Sequence, residues 1–364
     1  MDLIDSESTQ RNQRRRARAG TALAIALGLL LGACTESSGG DTTTTAAGEE
    51  TTTAAGEETT TTGAAQSGTQ DYTMVTFFEN CSFCQTLEAG AIQAGEEFGV
   101  NVQIVQPGGV DAETLNPALQ AATAAEPDAI GISYFTKGQE TAILDTLDLG
   151  IPIVLFNNNR FEAVDGDPAT ATTDPRILTL PYVGQDETKS GEVLMTYLMP
   201  LLGEGKVVIV NNSPGATVLT MRADGVKRVL DANNVPYEDL DAEMDEVVNE
   251  QILSAYLEAN PDVAGIIGLG NPSSNPAAKL VGELGLDIIV GTFDVDTAAV
   301  EHIKAGTLTA ALNQQPWLQG YYSVQNMYVK TVLGLQPVNV DTGTQIVTID
   351  NVADLEAAVA AGRN

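Results

Sequence analysis

The chain is poor in the residues that most catalytic and metal sites need. Its 364 residues include one histidine, three cysteines and one tryptophan. Metal sites usually draw on several His or Cys ligands, and a Ser–His–Asp triad needs a histidine beside its nucleophile. His302 lies in a helix-like stretch between Glu301 and Lys304, where we interpret it as a surface residue. No phosphate-binding G-x-x-x-x-G-K loop occurs, so we predict neither an enzyme nor a bound cofactor or metal.

Basic residues are also scarce. The sequence has 17 Lys and Arg against 49 Asp and Glu, which gives a formal net charge of −32 at pH 7. A surface this negative repels nucleic acid, which we therefore exclude as a partner. Hydrophobic residues still make up 43% of the chain, enough for a sizeable core, and the charge fits a soluble protein outside the cell.

The N-terminal apolar run is too short for a permanent membrane helix. Residues 22–31 form this run, whereas a spanning helix needs about 20 residues. Five arginines between positions 11 and 18 precede it, which is typical of a secretory signal peptide. The run ends in Leu31-Gly32-Ala33-Cys34, which resembles the bacterial lipobox. We predict that residues 1–33 are removed and that Cys34 becomes the lipid-modified first residue, anchoring the protein to the cell membrane.

Residues 34–70 form a low-complexity segment of Thr, Ala, Gly, Glu and Ser. The unit Thr-Thr-Thr-Ala-Ala-Gly-Glu-Glu occurs at 43–50 and again at 51–58. The repeat has no apolar face to bury, so it predicts a flexible tether and not a stacked repeat fold.

From residue 71 onward, short apolar runs alternate with helix-like stretches. Strands are predicted at 72–78, 100–105, 129–132, 152–156, 206–211, 265–269 and 288–293. Helices are predicted at 86–98, 115–125, 138–149, 188–202, 217–233, 246–260, 276–284 and 297–305. Continuous Val and Ile runs indicate parallel strands covered on both faces, and their alternation with helices indicates a doubly wound α/β fold.

The predicted elements fall into two similar sets, one ending near residue 182 and the other beginning near residue 206. Two such sheets suggest two lobes. Ligands of open parallel sheets bind beyond the carboxyl ends of the strands, so two facing lobes would form a cleft there. That arrangement is typical of hinge-closing binding proteins.

Gly-Ile-Pro-Ile-Val at 150–154, Gly-Thr-Phe-Asp at 291–294 and several other segments follow one another in a characteristic order. In this order they resemble the type I periplasmic solute-binding proteins of the ribose- and galactose-binding kind. The resemblance covers residues 71–350 and is carried by an ordered set of segments rather than by one motif. The segments are 82–83, 89–90, 97–100, 126–130, 150–154 (Gly-Ile-Pro-Ile-Val), 182–186, 205–211, 291–294 (Gly-Thr-Phe-Asp) and 314–321, together with Arg222 and Gly225.

The resemblance implies two doubly wound parallel-sheet lobes joined by a three-strand hinge. One lobe would comprise residues 71–182 plus 313–338, and the other residues 183–312 plus 339–364. It also implies the extracytoplasmic receptor of an ABC importer, which captures a sugar or polyol when its lobes close. The expected partners are a permease on a separate chain and the membrane, reached through the lipid anchor, and the protein is expected to be a monomer.

Site residues carried over from the family lie at strand ends and crossovers. They are Phe83, Cys84, Asn157, Asn158, Arg222, Asn271, Asp294 and Gln314. Sugars present hydroxyls around an apolar face, which suits an aromatic ring and planar polar side chains. Most of them also have a structural alternative: a core aromatic for Phe83, turn residues for Asn157 and Asn158, a solvated helix residue for Arg222, a helix cap for Asp294 and hinge packing for Gln314.

Cys81 and Cys84 form a C-x-x-C pair where many relatives have an asparagine and a second aromatic ring. The loss of one stacking ring suggests a slimmer or more polar ligand than a pyranose. A disulfide between the two cysteines is possible outside the cytoplasm. The pair also imitates the active site of a thiol–disulfide oxidoreductase, because a thiol at a helix N-terminus has a lowered pKa. We keep that redox function as an alternative, beside a receptor for a nucleoside, an autoinducer or another small polar metabolite.

Overall fold

The computed structural model describes residues 69–79, 81–159 and 171–364. The predicted signal peptide, Cys34 and the tether to residue 68 lie outside these residues. The strands are β1 (Asp71–Val75), β2 (Asn101–Val105), β3 (Ala129–Tyr134), β4 (Ile153–Asn159), β5 (Tyr182–Gly184), β6 (Lys206–Asn211), β7 (Tyr237–Asp241), β8 (Val263–Gly268), β9 (Ile289–Phe293), β10 (Ala310–Asn313), β11 (Val340–Asp341) and β12 (Gln345–Val347).

Eleven α-helices alternate with these strands in the described part of the chain. They are α1 (Ser82–Phe98), α2 (Ala112–Ala124), α3 (Glu140–Asp148), α4 (Pro175–Leu178), α5 (Glu187–Leu198), α6 (Thr217–Ala232), α7 (Glu246–Ala259), α8 (Asn271–Leu284), α9 (Thr297–Ala305), α10 (Pro316–Thr331) and α11 (Val352–Ala360). None of the helices within the described ranges is both long enough and apolar enough to cross a bilayer.

The strands form two six-stranded sheets of the same topology. The first sheet has the order β2-β1-β3-β4-β5-β11 and the second β7-β6-β8-β9-β10-β12. All neighbours are parallel except β10 and β12, which pair antiparallel. Both β3 and β8 are buried along their whole length, as central strands covered by helices on both faces must be. The predicted α/β fold with two doubly wound lobes is therefore confirmed.

Three crossovers join the lobes, and they fall slightly later than the predicted boundaries. Residues 183–184 and 340–341 pair with each other in the first sheet. Asn313 pairs with Gln345 in the second sheet. The crossovers therefore lie at residues 184–187, 313–316 and 341–345, because ladder pairing continues beyond the apolar residues that the sequence reveals.

Helices α1 and α8 begin four and five residues earlier than their apolar pattern predicts. Helix α1 begins at Ser82 because Cys81, in an extended conformation, acts as its N-cap, and its sulfur accepts the N–H of Cys84 at 3.1 Å. Helix α8 begins at Asn271, with Pro272 in the first turn, where a missing N–H costs nothing. Both helices start at the carboxyl edge of a sheet, which is where a ligand site was predicted.

Eight elements of the described structure were not predicted from the sequence: β5, β7, β10, β11, β12, α4, α10 and α11. Strand β7 has the sequence YEDLD, and its side chains are mostly exposed, so it lacks an apolar run. The other missed strands have two to four residues, too short for periodicity to identify. Helix α10 returns from the second lobe and packs along α1 of the first, so it closes the first lobe although it follows the second in sequence.

Candidate functional site

A small cavity of about 100 Å³ lies between the carboxyl edges of the two sheets. Three of the predicted site residues line it, namely Phe83 from the first lobe and Asn271 and Asp294 from the second. Ser82, Thr86, Asp296 and Pro316 line it as well. The cavity is therefore built by both lobes at the edge where doubly wound sheets bind ligands.

The ring of Phe83 lies between this cavity and an aromatic core. It is partly buried and stacks on Phe77, with ring centroids 6.5 Å apart and an interplanar angle of 24°. Phe77 in turn packs against Phe135 at 5.3 Å and Phe156 at 5.9 Å. The ring is thus held in place by other aromatics, as a platform for the apolar face of a ligand would need.

Cys81 and Cys84 form a disulfide in the first turn of α1. Cys84 is 1% exposed and belongs to the core of the first lobe, whereas Cys81 is only partly buried. Neither sulfur lines the cavity; the residues between them, Ser82 and Phe83, do. Contact of Cys84 with a ligand stays a prediction, and its observed role is to fix the turn that carries Phe83.

A buried amide network lies behind the cavity. Gln314, on the second crossover, donates from Nε2 to Oδ1 of Asp294 in the second lobe. The Nδ2 of Asn157 in the first lobe donates to Oε1 of Gln314 and to Oε1 of Gln319, both at 3.3 Å. Asn158 is 1% exposed beside it. Three predicted site residues are thus brought into one network that joins the lobes through a crossover.

Two of these residues adopt a backbone conformation with positive φ, which residues other than glycine rarely take. The φ angle is +58° at Asn157 and +73° at Asp294, and the neighbouring crossover residue Gln315 has φ +55°. Such conformations cost free energy and persist where the surroundings hold them in place, often at functional sites. Asn157 lies near the end of β4, and Asp294 directly follows β9.

Arg222 is buried and makes an ion pair with Glu187. Its Nε donates to Oε2 of Glu187 at 2.6 Å and its Nη1 to the carbonyl of Leu269 at 2.9 Å. The guanidinium also lies 4.7 Å from the ring centroid of Phe293. Burial opposes the charge on Arg222, yet the carboxylates of Glu187 and Asp294 raise the pKa of Arg222. Arg222 is therefore a buried cation and not a solvated helix residue, and it does not line the cavity.

The carboxylate of Asp294 is only half satisfied. Oδ1 accepts the hydrogen bond from Gln314, while Oδ2 accepts none from the described residues. Burial raises the pKa of Asp294, and Arg222 and Gln314 oppose that shift. Nearby, Asn271 is 8% exposed and its Oδ1 has no hydrogen-bond partner. The cavity thus contains acceptors that lack a donor.

Sequence reasoning missed four residues of the buried network. Glu187 holds Arg222, Gln185 donates to Glu187 at 2.8 Å, Gln319 bonds Gln314 and Asn157, and the hydroxyl of Tyr182 donates to the carbonyl of Asn157 at 2.8 Å. All four lie in the segments 182–186 and 314–321 that carry the family resemblance, or directly after one of them. Polar side chains next to a predicted crossover were the feature of the sequence from which these residues could have been predicted.

A larger cavity of about 440 Å³ lies against the first and third crossovers, and none of the predicted site residues lines it. We place the candidate site in the smaller cavity, because predicted residues of both lobes converge there. No group of three or more His, Cys, Asp or Glu side chains in the described ranges is arranged to hold a metal ion.

The sequence and the fold of the chain resemble those of known proteins. A family model described as a periplasmic binding protein domain matches residues 72–332. The xylose/arabinose-binding protein XylF of Sulfolobus acidocaldarius is 25% identical over 254 residues, which cover 66% of this chain and 62% of XylF. The chain spans about three fifths of the length of the curated relatives it matches.

Two solved structures illustrate the likeness in fold. A carbohydrate transporter from Acidothermus cellulolyticus 11B, in complex with myo-inositol, is 24% identical with a TM-score of 0.70, covering 82% of this chain and 100% of its own. An ABC transporter solute-binding protein from Agrobacterium vitis, bound with alpha-D-tagatopyranose, is 26% identical with a TM-score of 0.66, covering 81% and 99% respectively.

Proposed function

The chain belongs to the periplasmic binding protein family, and from that membership we propose that it is the extracytoplasmic receptor of an ABC importer that captures a sugar or polyol. The observation that carries the proposal is the interlobe cavity. An aromatic ring from one lobe faces an amide and a half-satisfied carboxylate from the other. This set suits a ligand with an apolar face and several hydroxyl donors.

Capture occurs by closure of the lobes. The hydroxyl of Thr217 in the second lobe donates to the carbonyl of Phe135 in the first at 3.2 Å, so the lobes already touch on one side. The cavity of about 100 Å³ is smaller than the roughly 300 Å³ or more of a typical ligand pocket. A ligand therefore enters when the lobes separate and shifts the population toward a closed state that both lobes contact.

The importer role assigns further partners. The permease is a separate chain that recognises the closed receptor. The signal-like N-terminus and Cys34 support a lipid anchor on the outer side of the cell membrane, with the Thr-rich tether between anchor and receptor. The receptor acts as a monomer.

The names of relatives support a sugar ligand. XylF is described as a xylose/arabinose-binding protein, and the Agrobacterium vitis protein binds tagatopyranose. The loss of a second ring at Cys84 leaves Phe83 as the single predicted platform, which suits a small, polar ligand.

A thermal-shift screen of the purified protein against pentoses, hexoses, polyols and nucleosides tests the proposal. Ligands that bind only the folded state raise the unfolding temperature in a saturable way. We expect one sugar or polyol class to do so, with and without reductant. A shift with nucleosides alone would change the ligand class. No shift with any ligand, together with reduction of a model disulfide, would instead support the redox alternative.

A further inference from the structure

The charges around the interlobe cavity restrict the class of ligand, given the receptor function proposed above. Among the described residues that line the cavity, two are acidic, Asp294 and Asp296, and none is basic. Among the described wall residues, a ligand in this cavity therefore meets carboxylates and no cation.

Arg222, a buried cation behind the wall, already has a partner. Arg222 gives its Nε and Nη2 to Glu187, at 2.6 and 3.4 Å, and its Nη1 to the carbonyl of Leu269. Arginine has five N–H donors, and three of them are thus bonded to the protein. One guanidinium acts on the two carboxylates of Glu187 and Asp294, so Arg222 does not serve Asp294 alone.

Asp294 is the carboxylate of this group that borders the cavity. It lines the wall, its Oδ1 is held by the neutral amide of Gln314, and its Oδ2 is left for a ligand. Asp296 is engaged differently: it caps α9 by accepting the N–H of Ala299 at 2.8 Å, and the positive end of that helix offsets its charge. The unmet acceptor is thus Asp294, with the partnerless Oδ1 of Asn271 on the same wall.

We propose that the site selects a polyhydroxylated ligand that carries a protonated amine, such as an amino sugar, over its neutral analogue, and rejects the carboxylate analogue. An ammonium group supplies a positive charge and three N–H donors to Asp294 Oδ2 and its neighbours. A neutral hydroxyl supplies one donor and no charge. A ligand carboxylate would meet Asp294 with no cation among the described wall residues to pair it.

The field of the whole molecule acts in the same direction. The net charge of −32 attracts cations and repels anions from a distance, which raises the association rate of a cationic ligand at low salt.

Calorimetric titration of the full-length protein at pH 6.5 with D-galactose, D-galactosamine and D-galacturonate tests the proposal, with the gluco and arabino series run in parallel. We expect the Kd of the amino sugar to be at least tenfold lower than that of the neutral sugar, and no measurable binding of the acid. N-acetylgalactosamine, which keeps the nitrogen and loses its charge, should lose the advantage. Equal Kd values across a series, or tighter binding of the acid, would overturn the selectivity.

A pair of matched variants assigns the effect to the cavity. Asp294→Asn should bring the ratio of neutral to amino Kd close to one, because it removes the charge and keeps the shape. Asp287→Asn is the control, because it makes the same charge change at an exposed residue. Asp287 lies before the amino end of β9, whereas Asp294 follows its carboxyl end, so the ratio of Kd values should stay unchanged. Equal loss in both variants would mean that the field of the whole molecule, and not the site, sets the preference.

The outcomes separate the two proposals. Saturable binding of neutral and charged sugars alike keeps the receptor function and overturns the selectivity. Failure of every sugar to bind, in the presence of a folded protein, overturns both.

Discussion

At the scale of single residues, Glu187 and Arg222 form a buried ion pair, with 2.6 Å between Oε2 and Nε. Their side chains are 3% and 4% exposed, and each is the other's main counter-charge. Removing one partner leaves a buried charge without compensation, which costs far more than an exposed pair contributes.

We therefore expect Glu187→Gln to lower the free energy of unfolding by about 3–5 kcal/mol, since the amide keeps the shape and removes the charge. The measurement is urea unfolding followed by circular dichroism. Glu192→Gln is the matched control, because Glu192 pairs with the exposed Lys189 and Arg228 and should cost less than about 1 kcal/mol. Equal losses in the two variants would contradict a special role for the buried pair.

The single histidine titrates below its ordinary range. His302 is half-buried, with Nδ1 3.1 Å from the hydroxyl of Thr307, and burial lowers the pKa of His302, with Asp296 and Glu246 opposing. The folded state thus favours the neutral ring. Its contribution to stability is complete above the unfolded pKa of about 6.5 and is lost as pH falls from there toward the folded pKa.

The proton NMR resonance of the imidazole can be followed without assignment in the untagged protein, because the chain has one histidine. We expect a midpoint below pH 6.5. A midpoint at or above that value would show that the acidic neighbours outweigh burial.

At the scale of elements, each lobe contains a glycine that lets two helices pack with their backbones in contact. A Cβ on Gly90 would lie 1.9 Å from the carbonyl oxygen of Trp317, which joins α1 to α10. A Cβ on Gly225 would lie 2.0 Å from the carbonyl oxygen of Thr188, which joins α6 to α5. These glycines allow backbones to touch beside the crossovers, so the hinge segments leave from rigid helix pairs.

Gly225→Ala should therefore lower the free energy of unfolding by about 2 kcal/mol or more, since backbone atoms must move apart. Gly203→Ala is the control, because a Cβ there would meet nothing within 4 Å. Thermal unfolding of the two variants measures the difference. A Gly225→Ala protein as stable as the control would mean that α5 and α6 separate easily.

The Cys81–Cys84 disulfide is a second feature at this scale. It closes a very short loop, so the double Cys81→Ser, Cys84→Ser variant should lose only about 2 kcal/mol of unfolding free energy. Reductant should destabilise the unmodified protein by a similar amount and leave the variant unaffected, as thermal unfolding with and without dithiothreitol would measure. A variant that still responds to reductant would contradict this assignment.

At the scale of the whole molecule, the net charge of −32 acts against the compact state. Raising NaCl from about 10 mM to about 500 mM shortens the Debye length from about 30 Å to only a few ångströms and screens this repulsion. We expect the unfolding temperature to rise by several degrees, as differential scanning calorimetry would record. A fall would mean that the surface ion pairs, such as Arg176–Asp148, contribute more than the repulsion costs.

The sequence by itself determined the fold class and the family. Continuous Val and Ile runs such as 206–211 report burial on both faces, and burial of a strand is a local consequence of its own composition. The same locality explains why Phe83, Asn271 and Asp294 could be located at strand ends, and why the family match over residues 72–332 confirms the resemblance.

Only the tertiary structure decided which residues share the site. Glu187 and Arg222 are 35 residues apart, and Asn157 and Gln314 are 157 apart, so no local pattern could pair them. Strands β5, β10 and β11 exist because neighbouring strands supply their hydrogen bonds. With two to four residues each, they are too short for a periodic pattern to predict them. The charge of the cavity likewise follows from packing, because Glu187 meets Arg222 only once α5 and α6 have come together.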